Sequence, residues 1–516
     1  MALMRHASRR AIDILHLPSE LIAHIFQYLD DYDLFNARVS HRALDKASFE
    51  HFARRFFRKK GFMITTRSLT VLQHIATHDE LGKYLQHVWC NPDCYTFARP
   101  KCCPDDEEDS DLDSADGLET PLEKGPVLMA RVHSTLSRQY AAYCDVIRDH
   151  SDLLYSDKLE ERLNHAFRLL PNLRTVGMRR SEDYSPYGWT EIKDAVGEDP
   201  RILGPIPSTP SSTLSGPTQL FIALIGAISA SGTRLERLYT DAIEVDNVPE
   251  NTLTQEKLNA ACSSILYIEA NVIKGFLTTH PVPDTHEYNP RPGTAELGKG
   301  MAHLFKAMPN LKELGLQIFR DNQAQQTILA PGMSPPEGLR ECYPYYAFDR
   351  LVNEVSFAGL TRIKLEKITA MAFQFKRFLE PCAPNLTSLK LRDIRLITPE
   401  GESRPWEAIF AFLRSSCRAL EYVLFYRLMY ERGAISYTED PPAAITNPAY
   451  TYNHLPSPVN RALFTNYDQI AAEASGEQDV RKKLAEIEER HWYQRPLFTY
   501  AMDEDLWHTD TSDEEW

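Results

Sequence analysis

No run of apolar residues in this sequence approaches the 18 or so that a membrane-crossing helix requires. The longest candidate, Gln219 to Ile228, covers about half a span and reads as a buried helix. Arg5, Arg9 and Arg10 are followed by no apolar segment with a small-residue cleavage site, so no secretory leader is expected. Nine cysteines in 516 residues are too sparse and too scattered for a disulfide framework, which suits a reducing cytoplasm or nucleus. Glycine-rich phosphate loops, His-Glu-x-x-His and Gly-x-Ser-x-Gly are all missing. The chain is therefore read as non-enzymatic, with no catalytic residue and no cofactor.

A sustained basic surface is also lacking. The formal net charge is -15, yet Asp105 to Glu119 holds nine acidic residues and no basic ones, and Asp503 to Trp516 holds seven and none. Removing those sixteen charges leaves the remainder at about +1. The one dense cationic cluster is Arg54, Arg55, Arg58, Lys59 and Lys60, read as the solvated end of a helix, so no nucleic-acid partner is expected. The acidic run at 105–119 has too few apolar residues to fold and reads as a solvated linker, with an electrostatic bait for a basic partner as the other reading. Cys90, Cys94 and the adjacent Cys102-Cys103, with His87 close by, form the one candidate metal cluster. Two adjacent cysteines cannot easily both reach one tetrahedral ion, and Cys90 falls on an inward strand position, so no metal is expected.

What is present begins with helices. From Leu17 to Leu29 the chain reads as a helix, with Pro18 in the first turn and Glu20 at the positive end of the dipole. At 100° per residue, Leu21, Ile22, Ile25, Phe26 and Leu29 spread over an arc of about 140°, wide for so short a helix. Asp31 or Asp33 would cap a second helix through Leu34, Phe35 and Val39. A third would run from about His41 through Leu44, Ala47, Phe52 and Phe56, with Gly61 at its C-cap. Three short helices with no disulfide or metal struggle to bury a sufficient core alone, so a partner surface is expected to cover part of the arc.

The spacing Leu-Pro-x-Glu-Leu-x-x-x-Ile-Phe-x-Tyr-Leu-Asp over 17–30, then Asp33-Leu34, Val39 and Arg42, resembles the F-box. The resemblance implies docking on the small Skp adaptor, and through it on a cullin-RING scaffold. It assigns the contact to Leu17, Pro18, Leu21, Ile25, Phe26 and Leu29, with Leu34 and Val39 supporting. The alternative is the start of an ordinary helical bundle.

Farther along, an apolar-x-x-apolar-x-apolar triplet recurs at Leu85-Val88-Cys90, Leu173-Val176-Met178, Leu235-Leu238-Thr240, Ile265-Ile268-Ala270, Leu311-Leu314-Leu316, Leu360-Ile363-Leu365, Leu386-Leu389-Leu391 and Leu420-Val423-Phe425. At this composition about forty such triplets arise by chance, so the triplet alone proves nothing. Pro-Asn-Leu is rarer. It opens the triplet at Pro171, Pro309 and Pro384, where about 0.1 copies would be expected in the whole chain. Amphipathic helices precede all three, through Leu159, Leu163, Ala166, Phe167 and Leu170, through Leu304, Phe305 and Met308, and through Met371, Phe375, Phe378 and Leu379. A unit of helix, turn and strand cannot bury both its apolar faces and must stack on its neighbours, with parallel strands joined by helical crossovers.

The expected class is α/β, a short three-helix F-box followed by an irregular solenoid resembling leucine-rich repeats. The expected boundaries are 12–61 for the F-box, 62–100 for a connecting helix and first unit, 101–125 for the linker, 126–436 for the solenoid and 437–516 for an extension with a capping helix at Val480, Leu484 and Ile487. Pro- and polar-rich insertions at 184–216, 281–293, 331–344 and 437–458 read equally as binding loops or disorder. The function implied by the resemblance is a substrate-recognition adaptor of a ubiquitin ligase holding an unknown protein substrate; the alternative is a non-degradative assembly scaffold.

Overall fold

A computed structural model describes residues 14–95, 126–180, 185–197, 199–200, 214–241, 243–273, 298–319, 342–397, 405–426, 428–430, 433–437, 472–489 and 492–496. The acidic run at 105–119, Cys102 and Cys103 lie outside them, as do 201–213, the insertion 281–293 and most of those at 331–344 and 437–458.

Three helices open the chain: α1 (Ser19–Phe26), α2 (Asp31–Ser40) and α3 (Arg42–Phe57). Asp30 is the cap of α2, accepting a hydrogen bond from the Asp33 amide at 2.7 Å, so the cap is neither of the expected residues, Asp31 or Asp33. His41 caps α3 by accepting from the Ala43 amide. Gly61 does not end α3. The helix stops at Phe57, and after Arg58 the chain enters a strand in which Gly61 pairs with Trp89. The expected boundary at 61/62 therefore cuts through that strand.

In chain order the strands are β1 (Lys59–Met63), β2 (His87–Asn91), β3 (Thr175–Met178), β4 (Arg237–Tyr239), β5 (Tyr267–Ile273), β6 (Glu313–Phe319), β7 (Arg362–Glu366), β8 (Thr369–Met371), β9 (Ser388–Arg392), β10 (Arg395–Ile397), β11 (Tyr422–Tyr426), β12 (Met429–Tyr430), β13 (Gly433–Tyr437), β14 (Ala472–Ser475) and β15 (Trp492–Pro496). The main sheet has ten strands in the order β1-β2-β3-β4-β5-β6-β7-β9-β11-β14, parallel throughout except for the last pair. From β1 to β11 consecutive main strands are joined through helices α4 (Thr66–Thr77), α5 (Pro126–Leu154), α6 (Lys158–Arg168), α7 (Trp189–Val196), α8 (Gly216–Ser231), α9 (Gln255–Cys262), α10 (Lys299–Lys306), α11 (Cys342–Glu354), α12 (Ala372–Leu379) and α13 (Pro405–Ser416). A smaller sheet, β8-β10-β12-β13-β15, forms beside the later units.

Each of the eight triplets opens two residues before a main strand and runs into it, and their middle residues stand in one register: Val88, Val176, Leu238, Ile268, Leu314, Ile363, Leu389 and Val423 pair in sequence across the sheet. Every triplet residue is buried, and all but Thr240 belong to a single hydrophobic core shared with the helices. At about 1.5–3 kcal/mol for each fully buried large aliphatic side chain, this column is a principal stabilising feature of the chain. The apolar run at 219–228 lies inside α8, buried against α6 and α9. Leu159, Leu163, Ala166, Phe167 and Leu170 are buried too, whereas Met371 ends β8 rather than joining α12.

Pro-Asn-Leu has a physical reason. In each copy the asparagine Nδ2 donates to a backbone carbonyl of the preceding unit: Asn172 to Lys83 (2.7 Å), Asn310 to Ser263 (2.9 Å) and Asn385 to Ala358 (3.4 Å). Immediately after it, one carbonyl of each unit accepts two successive amides of the next. Gln86 takes Arg174 and Thr175, Arg174 takes Glu236 and Arg237, Glu236 takes Leu266 and Tyr267, and the pattern continues to Glu421 and Tyr422 on Thr387. Lys367 and Asp393 repeat a left-handed conformation (φ 55° and 53°) where β7 and β9 turn into β8 and β10.

At the far end β14 closes the sheet antiparallel to β11, and α14 (Glu477–Glu489) buries Val480 and Leu484 against α13; the Ile487 side chain lies outside the described residues. Asn310→Ala should lower the urea-unfolding free energy by about 1 kcal/mol. The same change at Asn385, whose hydrogen bond is longer, should cost less; equal losses would show that bond length does not rank them.

Candidate functional site

The opening helices form a small core of their own. Ile22, Phe26, Leu34 and Leu44 are buried in it, with Leu17, Leu29, Ala37, Ala47, Phe52 and Phe56 packed around them. Arg55 ties the α1–α2 turn to α3, donating to the Leu29 carbonyl (2.8 Å) and pairing with Asp31 (2.5 Å). Arg54 pairs with Glu50, and Lys60 lies over the Phe57 ring. The basic cluster read as a solvated helix end is thus partly structural.

The wide arc of α1 splits into two faces. Phe26 (1% exposed) and Leu34 (0%) point inward and hold the helices together, so neither offers surface to a partner. Leu21 (51%) and Ile25 lie outward, as does Val39 (88%) on α2; Leu17 and Leu29 are half-buried at the edge, and Pro18 is exposed at the N-cap. The sequence reading missed Tyr28, which continues the Leu21–Ile25 stripe at i+7, and Tyr32 and Phe35, which form a stripe with Val39. Ile14 and Leu15 add to the exposed apolar surface. Single exposed apolar residues are ordinary, but so many on a module of this size mark an interaction surface.

A second surface is the face of the main sheet turned away from the helices. The residue between the second and third triplet positions points there, giving one row across the strands: Trp89, Gly177, Tyr239, Glu269, Gly315, Lys364, Lys390 and Leu424. Trp89 and Tyr239 meet edge-on at 4.7 Å over Gly177, and Tyr239 meets Tyr267 at 5.1 Å. A Cβ on Gly177 would lie 2.6 Å from the Cβ of Tyr239, so the aromatic contact requires glycine there. Beside these rings stand Arg58, Lys59, Arg174 and Arg237 around His87. Burial first, and then those four cations, push the His87 imidazole down to about 4, leaving it neutral at physiological pH.

The remaining chemistry is sparse. Among the described residues no group of three or more His, Cys, Asp or Glu is placed to hold a metal ion. Burial raises the Cys90 thiol to about 12 and Cys94 to about 11, which disfavours the thiolate that ligation needs. A cavity of about 50 Å³ is lined by Cys94, His150, Tyr155 and Ile192 among others, where burial lowers His150 and its Nδ1 hydrogen-bonds the Ile64 carbonyl at 3.0 Å. No helix of the described residues is long and apolar enough to cross a membrane.

Residues 14–59 match the family model described as F-box-like. That stretch is α1 to α3 and the first residue of β1. No curated protein matches the chain. F-box modules act in protein–protein interaction and generally bind Skp-type adaptors.

The depressed His87 pKa fixes the sign of a pH effect. Below about 6.5 the unfolded chain takes up the proton that the folded chain refuses down to about 4, so stability falls as pH drops through that window. With solvent screening at a half-exposed ring the loss should be on the order of 1 kcal/mol. Unfolding titrations of wild type and His87→Asn across the window should converge at acid pH; parallel curves would disprove it.

Proposed function

We propose that this chain is an F-box adaptor: α1 and α2 dock a Skp-type adaptor that bridges to a cullin-RING scaffold, and the region from β1 onward captures a protein substrate for ubiquitination. The observation that carries the reading is the pair of exposed apolar stripes, Leu21-Ile25-Tyr28 and Tyr32-Phe35-Val39, on the stretch that matches the F-box-like model. An adaptor surface over those stripes would remove from water what the three helices leave uncovered. The region behind them is read as an irregular stack resembling leucine-rich repeats. Strands in chain order, one triplet per unit and the recurrent asparagine support that reading.

In this role the chain needs no catalytic group, because holding a substrate beside a charged ubiquitin carrier raises its effective concentration. Such partners belong to the cytoplasm or nucleus.

Leu21→Asp with Ile25→Asp should abolish co-purification of the Skp adaptor while leaving circular dichroism and the urea midpoint unchanged, since both side chains already face water. Adaptor still recovered with the double variant would reject the docking face. Phe26→Ala should behave differently, costing about 3–5 kcal/mol of module stability because it empties the core around Leu34. If bound proteins keep their half-life when the adaptor contact is broken, the degradative role gives way to a scaffold.

A further inference from the structure

The open sheet face is asymmetric in charge. On its later strands acids and bases neutralise each other: Lys364 reaches Glu269 at 3.0 Å, Arg362 reaches Glu313 at 3.2 Å, and Arg392 stands 3.7 Å from Glu366. On β1 to β4 the balance fails. Arg58, Lys59, Arg174 and Arg237 gather at the strand entrances, and the acid paired among them is Glu236, 3.5 Å from Arg174. Arg58 donates to the neutral Gln86 amide, and Arg237 lies over the Tyr267 ring at 5.5 Å, so neither has its charge cancelled by those contacts. This excess sits on a chain whose net charge is -15. The low pKa of His87 reports the same local field.

Next to the cations the half-buried Trp89, Tyr239 and Tyr267 rings run in contact from β2 to β5, with the Arg179 guanidinium 5.8 Å from the Trp89 ring. Three strand steps of about 4.8 Å make that track about 14 Å long, which matches about four residues of extended chain. A lone anion would not use such a length.

We propose that this half of the open face docks an acidic, extended segment of a partner protein, its carboxylates set against Lys59, Arg174 and Arg237 and an apolar side chain laid on the Trp89–Tyr239–Tyr267 rings. The proposal gives the capture role above a place and a partner chemistry, and it rests on that role; the contact itself does not require the Skp adaptor. Charge complementarity of this kind speeds encounter and selects partners, and it weakens with salt.

The test uses the full chain and a short fluorescein-labelled peptide of Asp and Glu around a central Phe. Its Asn/Gln counterpart and an oligouridylate of equal length are measured alongside by fluorescence polarisation. The acidic peptide should bind tightest and weaken as salt is raised. Lys59→Glu with Arg174→Glu, both exposed, should reduce its affinity by about tenfold or more without changing adaptor co-purification. Trp89→Ala should weaken it as well, and Arg237→Lys should retain it. Equal binding of the acidic and amide peptides, tighter binding of the oligouridylate, or an unchanged affinity in the folded double-charge variant would overturn the proposal. Loss of adaptor binding alone would strike only the adaptor reading.

Discussion

One constraint governs this molecule: a strand of about five residues with a helix behind it cannot bury its own apolar side chains, so each unit is completed by the next. The middle triplet residues from Val88 to Val423 meet that constraint by standing in a single column against the helices. Register follows from it, because a slip of one residue would turn each triplet toward water and its neighbours into the core. The doubly accepting carbonyls at the strand entrances pin the same register from the backbone side. Both edges of the column are finished differently, by the helices leading into β1 and by the antiparallel β14 with α14.

The opening module obeys the opposite logic. With only three helices it closes a core around Phe26 and Leu34 but has nothing left to cover Leu21, Ile25 and Val39. The same residue types therefore do two jobs a few positions apart. Those facing α3 make the module fold, and those facing out give it something to bind. Two cores, one small around α1–α3 and one large behind the sheet, let these tasks vary separately.

Much of this was legible in the sequence. The eight triplets located eight of the main strands because inward positions of a parallel strand are constrained to be apolar, and Pro-Asn-Leu recurs because its asparagine amide has a fixed backbone partner in the segment leading into the neighbouring strand. The division of the α1 arc was not legible. Ile22, Phe26, Leu21 and Ile25 are alike as residues, and only the placement of α2 and α3 decides which are covered. β1 was hidden by its own composition, since Lys-Lys-Gly-Phe-Met carries two charges and a glycine in place of a triplet. Gly61 was mistaken for a helix end for the same reason. β14 reads Ala-Glu-Ala-Ser, with no strand preference, and forms because β11 leaves an edge to pair. The aromatic row was recoverable in principle: once the triplets are aligned, the residue between their last two positions names Trp89 and Tyr239.

The junction between the two regions is a single residue. α3 ends at Phe57 and β1 begins at Lys59, while the Arg58 carbonyl between them accepts the amides of both Gln86 and His87. A connection so short, and bonded to the neighbouring strand, has no slack in which to swivel. Whatever grips the helices and whatever lies on the sheet are then mounted on one rigid bracket. For the adaptor role proposed above, the bearing and span between the two surfaces are then fixed when the chain folds.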